Sequence, residues 1–292
     1  MLEVGRQSFC KVNLLLNILG KRPDGFHELE TVMQPVALHD ELTFTVGGRH
    51  ARLSCEDASL PVDGRNLVTR AATMYLTEAR IGDGVRIHLR KHIPISAGLG
   101  GGSGNAAATL LALNELFDKA LSAEALTRLA AALGSDVPFF LQDRPALATG
   151  RGEIIEALDP FPALRGAQIV LVHPGFGIST PWAYGQLANH PQALHGEQGR
   201  ARRLIALLQG GDPLAAGREF YNSLEAPALR KYPLLQLFQE FFRERGAAGA
   251  LMSGSGSSTF AVFGSASSAE SCLEQFRSKF GAAIWTASLP LS

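Results

Sequence analysis

The sequence predicts an α+β fold, and three observations point to it. Strand-like alternation dominates the first hundred residues. Helical patterns then cluster together instead of alternating with strands. A second set of strands and helices opens near residue 166. With 292 residues, 46% of them hydrophobic, the chain is long enough for two cores of ordinary size. The expected domains are residues 1–160 and 161–292, divided in the Pro-rich stretch ALDPFPALRG.

Residues 9–19 alternate: Phe9, Lys11, Asn13, Leu15 and Asn17 share one face, and Cys10, Val12, Leu14, Leu16 and Ile18 the other. Period two means a strand, here with one uniformly apolar face. RPDG at residues 22–25 is a turn, since Pro presets one φ and Asp and Gly suit the positions after it. Strands follow at 26–36, 41–46 and 51–55, a helix at 66–80, and a cleanly alternating strand at 85–92. An amphipathic helix is expected at 103–117 with Ser103 as its N-cap, and another at 122–133, stopped by Gly134. In the second half, GAQIVLVHPG is an apolar strand and residues 189–200 a polar loop. Helical patterns cover 201–208, 213–222 and 233–245, and 258–264 is a strand. Ser267 and Glu270 stand at capping-box spacing for a last helix.

Lys plus Arg equals Asp plus Glu at 27 each, so no basic excess speaks for a nucleic-acid or membrane-surface partner. The three cysteines are odd in number and far apart, which suits free thiols in a reducing cytoplasm. The apolar stretch CKVNLLLNIL is interrupted by Lys11, Asn13 and Asn17 and lacks a cleavage site, and no segment has the length of a membrane span. The expectation is a cytoplasmic protein acting on a small molecule.

The most informative stretch is PISAGLGGGSGNAAA, in which five of the seven residues from Gly98 to Gly104 are glycine, directly before a helix. N–H groups at a helix start have no internal partners, and the helix dipole adds partial positive charge there. Glycines let a ligand approach those groups, so the pattern favours a phosphate site over a merely flexible loop. Two common phosphate motifs fail on the residues. The P-loop needs a Lys, and none lies between Gly98 and Phe117; the dinucleotide fingerprint needs a sixth-position Gly, where Ser103 stands.

PISAGLGGGSGNAAA instead resembles the central motif of the GHMP kinases, the family of galactokinase, homoserine kinase and mevalonate kinase, with Pro94, Gly98, Leu99 and Gly100 where that motif has them. KVNLLLNILGKRPDGFHELETVMQ is similar to the family's first motif and LMSGSGSSTFAVFG to its third. The first motif is closest to the branch acting on 4-diphosphocytidyl-2-C-methyl-D-erythritol. The resemblance implies a ribosomal protein S5 domain 2-like N-terminal domain and a ferredoxin-like C-terminal domain. It also implies ATP as co-substrate, Mg²⁺, and phosphorylation of the acceptor's 2-hydroxyl in the non-mevalonate isoprenoid pathway. The rivals are a GHMP kinase for homoserine, mevalonate or a sugar, and a nucleotide-binding module without catalysis.

Carried onto this chain, the resemblance makes Lys11 and Asp136 the catalytic residues, Asp136 accepting the hydroxyl proton and Lys11 pairing with it. From the residues alone, Lys11 reads rather as a strand-end cation reaching water, and Asp136 as a cap or turn residue. Gly98, Leu99, Gly100, Gly101, Gly102, Ser103 and Gly104, after Pro94, would wrap the nucleotide phosphates, with Asn66 and Lys91 near the adenine. A helix cap and a solvated cation are the plainer readings of those last two. For the cytidyl acceptor the resemblance implies Phe26 and His27 at the cytosine, Tyr184 on its other face, and Asn13 and Thr180 at the sugar or diphosphate. Gly254 and Gly256 would close a second glycine loop over the reaction centre. A core phenylalanine, a turn histidine and a tight turn are the alternatives there. No carboxylate cluster suggests a metal held by protein alone.

Overall fold

The computed structural model describes residues 3–291. They form two compact units interleaved along the chain: residues up to Cys10, Leu38–Ile95 and Gly100–Asp143 make the first, and Lys11–Ala37, Ser96–Leu99 and residues from Arg144 onward make the second.

Strand β1 (Glu3–Lys21) and strand β2 (His27–Val46) contribute residues to both units. β2 replaces the two strands expected at 26–36 and 41–46. The polar pair His39–Asp40 interrupts the apolar pattern, yet the strand continues because Asp40 is fully paired: its carboxylate accepts the N–H groups of His92 (2.8 Å) and Ile93 (2.9 Å) and the ammonium of Lys91. β3 (Arg52–Cys55), α1 (Leu67–Glu78), β4 (Val85–Arg90), α2 (Gly101–Leu116) and α3 (Ala123–Leu133) complete the first unit. β4 lies antiparallel to β2, with Glu41 opposite Arg90, and parallel to β3. Leu42, Phe44, Ile87 and Leu89 pack against α1, α2 and α3 to form its core.

Two expectations about α2 are corrected. The helix starts at Gly101, with Gly100 in the left-handed conformation (φ 72°) as its cap, so Ser103 lies inside the first turn. Nor is the helix amphipathic: every residue from Gly104 to Leu110 is buried, because its small Ala-rich surface lets α1 and α3 approach closely.

In the second unit follow β5 (Ala146–Thr149), β6 (Ile154–Ala157), β7 (Gln168–His173), α4 (Thr180–Gln186), α5 (Pro191–Leu194), α6 (Arg200–Gln209), α7 (Pro213–Arg218), β8 (Tyr221–Asn222), α8 (Glu225–Lys231), α9 (Pro233–Glu244), β9 (Gly249–Met252), β10 (Thr259–Phe263), α10 (Ala266–Phe280) and β11 (Trp285–Pro290). The larger sheet has the order β3-β4-β2-β1-β8, with β5 joined to β2 and β6 to β5. The smaller sheet, β11-β7-β10-β9, is antiparallel throughout. Phe238, Phe241, Phe242 and Phe276 fill its core, Phe242 and Phe276 stacked at 5.3 Å.

The helix expected at 213–222 stops at Arg218, and Tyr221 and Asn222 instead pair with Leu15 and Leu16 of β1. The last helix is capped by Ser265, whose hydroxyl accepts the Ser268 N–H at 3.2 Å, and not by Ser267. No disulfide joins Cys10, Cys55 and Cys272.

Candidate active site

β1 was expected to bury only its apolar face. Every residue from Cys10 to Ile18 is buried, because the polar face is internally hydrogen-bonded. Lys11 is 2% exposed, which removes the reading of a strand-end lysine in water. Its ammonium donates to Asn13 Oδ1 at 2.5 Å; Asn13 Nδ2 donates to Thr31 Oγ1 at 2.8 Å, and the Thr31 hydroxyl donates to the Leu15 carbonyl at 2.6 Å. A buried ammonium is tolerated only with such partners. The relay fixes Lys11 and Asn13 side by side.

The same strand is tied to the start of the glycine run, since Lys11 N–H donates to the Leu99 carbonyl at 3.0 Å. The second glycine loop is tied to that segment as well. Ser253 Oγ donates to the Gly98 carbonyl at 2.9 Å, and Ser258 N–H to the Ala97 carbonyl at 3.0 Å. Gly98 has φ +77°, and a Cβ there would stand 2.1 Å from the Ser253 carbonyl oxygen. Gly254 has φ +55°, and a Cβ there would meet the Gly98 carbonyl at 3.0 Å and Asn13 Oδ1 at 3.4 Å. Only bare backbone permits this approach. Gly256 has φ +86°, and a Cβ there would stand 2.6 Å from Met252 Sδ and 3.0 Å from Ile178 Cδ1. In the second unit the structure therefore brings together Lys11, Asn13, Gly98, Leu99, Gly254 and Gly256.

The remaining glycines belong to the first unit. No side chain caps α2, and the first amides of a helix have no partner within it. Gly102 is exposed, with nothing nearer its would-be Cβ than Leu67 at 3.9 Å. A Cβ at Gly101 would meet Ile93 at 3.0 Å and Lys91 Nζ at 3.3 Å, and one at Gly104 would meet the Phe9 carbonyl oxygen at 2.8 Å and Ser8 Oγ at 2.9 Å. Pro94 and Ser103 are half-buried. Lys91 is not the solvated cation that its strand-end position allows: it pairs with the fully buried Asp40, and its side chain is 10% exposed. Asn66 caps α1, its Oδ1 accepting the Val68 N–H at 2.9 Å and its amide donating to the Pro61 carbonyl at 2.8 Å. Asp136 is half-buried in the turn between α3 and the short 3₁₀ helix Pro138–Leu141.

Phe26 is half exposed, so it is not core, and the Arg151 guanidinium covers its ring at 4.5 Å. The ring facing Tyr184 is that of His27, with centroids 5.2 Å apart and planes at 41°. Burial, and secondarily the charge of Lys21, holds the His27 imidazole below its ordinary pKa and so favours the neutral ring. The turn tip is fixed by Asp24, whose carboxylate accepts the Phe26 N–H at 3.1 Å, and by Arg22, which bridges Asp24 and Glu28. Thr180 Oγ1 meets Ser255 Oγ at 2.8 Å, joining the start of α4 to the second glycine loop.

Several residues that organise these groups carried no sequence signal of their own. Asp40 reads as a break between strands, Thr31 as one more strand residue, and Ser253 and Ser255 as filler in a glycine-serine loop. Ser253 and Ser255 lay inside a quoted motif. For Asp40 and Thr31 the signal is a polar residue placed where a buried strand should be apolar. Among the described residues no group of three His, Cys, Asp or Glu side chains is arranged to hold a metal, and no helix is long and apolar enough to cross a membrane.

Residues 66–144 match the family model described as the GHMP kinases N terminal domain, and residues 203–282 the model described as GHMP kinases C terminal. A relative in Pelotomaculum thermopropionicum, named 4-diphosphocytidyl-2-C-methyl-D-erythritol kinase, is 42% identical over 271 residues, covering 92% of each chain. A relative of the same name in Syntrophus aciditrophicus is 43% identical over 256 residues, covering 87% of this chain and 88% of its own. A solved structure of a 4-(cytidine 5'-diphospho)-2C-methyl-D-erythritol kinase superposes with a TM-score of 0.79 at 36% identity, covering 99% of this chain and 100% of that one. Homoserine kinase from Cytophaga hutchinsonii shares the fold, with a TM-score of 0.78 at 21% identity over 99% of this chain and 94% of its own. The buried lysine of the first motif, the left-handed glycines of the second and the interlocked loop of the third thus stand in a chain that belongs to the GHMP kinase family.

Proposed function

We propose that this chain is an ATP-dependent kinase that phosphorylates the 2-hydroxyl of 4-diphosphocytidyl-2-C-methyl-D-erythritol, a step toward isoprenoid precursors outside the mevalonate route. The observation that carries the reading is the buried Lys11–Asn13 pair beside the Gly98–Gly254 approach: a fixed cation next to backbone stripped of side chains. In-line phosphoryl transfer needs positioning and charge stabilisation more than covalent help from the protein. The acceptor oxygen forms a bond to the γ-phosphorus, the bond from that phosphorus to the bridging oxygen breaks, and ADP leaves. Asp136 takes the hydroxyl proton, and Lys11 offsets the negative charge.

The uncapped amides of Gly101, Gly102 and Ser103, with Lys91 near by, suit the triphosphate, and Asn66 and Pro94 border the nucleotide. Mg²⁺ would enter with ATP and neutralise its β- and γ-oxygens. Ser103 offers a hydroxyl to phosphate or metal. Phe26, His27 and Tyr184 bind the cytosine. Asn13 and Thr180 hold the sugar or diphosphate, and Gly254 and Gly256 leave room above them. The family-model segments fall on either side of residue 160, which supports 1–160 and 161–292 as the functional domains. Zero formal charge and cysteines that no disulfide joins support a cytoplasmic enzyme without a nucleic-acid or membrane partner.

The test is incubation of purified protein with ATP, Mg²⁺ and each of the cytidyl acceptor, homoserine, mevalonate and galactose, with ADP and phosphorylated acceptor quantified together. Equimolar ADP and phosphorylated cytidyl acceptor are expected. Phosphorylation of another acceptor alone would overturn the substrate, and ATP binding without any product would leave a nucleotide-binding module.

A further inference from the structure

From the last residue of β8 to the first of α8 the chain reads Asn-Ser-Leu-Glu, Asn222 to Glu225, a stretch without glycine and outside the three motifs. Asn222 and Ser223 are buried. Asn222 Nδ2 donates to two carbonyls of the second glycine loop, Met252 and Gly254, each at 2.8 Å, while its Oδ1 accepts the Leu224 N–H at 2.9 Å. Turning the amide over would break all three bonds, so its orientation is set. Glu225 Oε1 accepts the Met252 N–H at 2.8 Å and Gln239 Nε2 at 2.6 Å. Ser223 grips β1: its N–H donates to the Leu16 carbonyl at 2.8 Å, and its hydroxyl accepts the Ile18 N–H at 3.0 Å.

β9 is an edge strand, so the outward N–H and C=O of Met252 need partners other than a strand. Glu225 and Asn222 supply them. The bond to Gly254 is different, because that carbonyl lies beyond the sheet, in the loop itself. It does no sheet work; it sets where the loop lies. Gly254 is the residue at which a Cβ would meet the Gly98 carbonyl and Asn13 Oδ1.

We propose that Asn222 and Glu225 are positioning residues for phosphoryl transfer, holding the Met252–Gly256 loop at a fixed height over Gly98 and the Lys11–Asn13 pair without touching either substrate. The inference rests on the kinase reading above. Ser223 ties this turn to the strand bearing Lys11 and Asn13. One four-residue turn thus references the first-motif strand and the third-motif loop to each other.

The test uses the full chain and the variants Asn222→Ala, Asn222→Asp, Glu225→Ala and Glu225→Gln. It measures kcat, KM for ATP and for the cytidyl acceptor, and amide hydrogen exchange of the peptide covering residues 250–258. Asn222→Ala should lower kcat about a hundredfold, the loss expected for a shift of about 1 Å in a reacting geometry, with ATP KM little changed. Exchange should accelerate in the loop and not elsewhere in the unit. Asn222→Asp puts an acceptor against two carbonyls and should do the same or worse. Glu225→Gln keeps an oxygen at the same place and should recover most of the turnover that Glu225→Ala loses. A folded Asn222→Ala with wild-type kcat and wild-type loop exchange overturns the proposal. So does exchange raised evenly across the unit, which marks a merely structural residue. If the wild-type chain phosphorylates no cytidyl acceptor, the kinase assignment falls, and the exchange measurement still decides the loop's tether: acceleration confined to the loop supports it, and none overturns it.

Discussion

Replacing Gly98 by alanine tests the close approach on which the site depends. A residue with a Cβ in the left-handed region costs about 1–2 kcal/mol. The new methyl would stand 2.1 Å from the Ser253 carbonyl oxygen. Restoring an ordinary contact needs a movement of about 1 Å. That movement breaks the bond from Ser253 Oγ to the Gly98 carbonyl (2.9 Å) and strains the one from Ser258 N–H to the Ala97 carbonyl (3.0 Å). At about 1 kcal/mol for each of the two bonds, the total is about 3–4 kcal/mol. Both tryptophans, Trp182 and Trp285, belong to the second unit, so urea unfolding followed by tryptophan fluorescence reads this unit directly. Turnover should fall about a hundredfold. Gly102→Ala is the companion variant. Its methyl clashes with nothing, Leu67 Cδ1 at 3.9 Å being the nearest atom, and alanine favours a helix over glycine by up to about 1 kcal/mol. Stability should hold or rise while KM for ATP increases about tenfold, a loss of about 1.4 kcal/mol of binding. A Gly98→Ala protein within about 1 kcal/mol of wild-type stability and fully active would refute the steric argument. An unchanged ATP KM in Gly102→Ala would refute the amide cradle.

Asp136→Asn should keep ATP affinity, measured by calorimetry, and lose about a thousandfold in kcat; a fully active variant would exclude proton transfer to this carboxylate. Phe26→Ala should leave the melting temperature almost unmoved, because the ring is half exposed. It should raise KM for the cytidyl acceptor tenfold or more, since stacking on a base contributes about 1–3 kcal/mol, and an unchanged KM would remove Phe26 from the cytosine site. Burial pushes the Glu225 carboxyl up to about 7 from its ordinary 4.5, against the opposing pull of the Met252 N–H, Gln239 and Arg243. The folded state therefore holds a proton that the unfolded chain has released, and stability declines as pH rises through that window, by about 3 kcal/mol once pH exceeds the folded pKa. Glu225→Gln removes the ionisation, so its stability relative to wild type should climb between about pH 5 and pH 8 in parallel urea titrations. A difference independent of pH would contradict the assignment.

Strand β1, the cap at Asn66, the stop at Gly134 and the helix after the glycine run were legible because each depends on neighbours within a few residues. The start of α2 was misplaced because Ser103 is a good cap by type, while Gly100 enters the helix in a conformation no side-chain preference announces. β5, β6, β9 and β11 went unread. They are short, and their pairing partners, not their own alternation, make them strands. The contact between the His27 ring and Tyr184 was not legible, since spacing does not say which way a turn presents its side chains.

By itself the sequence determined the balance of strands and helices and the glycine-rich helix start, because local periodicity, turn chemistry and residue type are written in short stretches of chain; Lys11, Asp136, Gly98 and Gly254 were marked only by the resemblance of the motifs that hold them. Only the tertiary structure decided that Lys11 is buried against Asn13, that Asp40 neutralises Lys91, and that Asn222 and Ser253 hold the loops in place. The last of these joins residues 155 positions apart. Such contacts depend on which distant segments exclude water together, and that is settled by the packed chain as a whole.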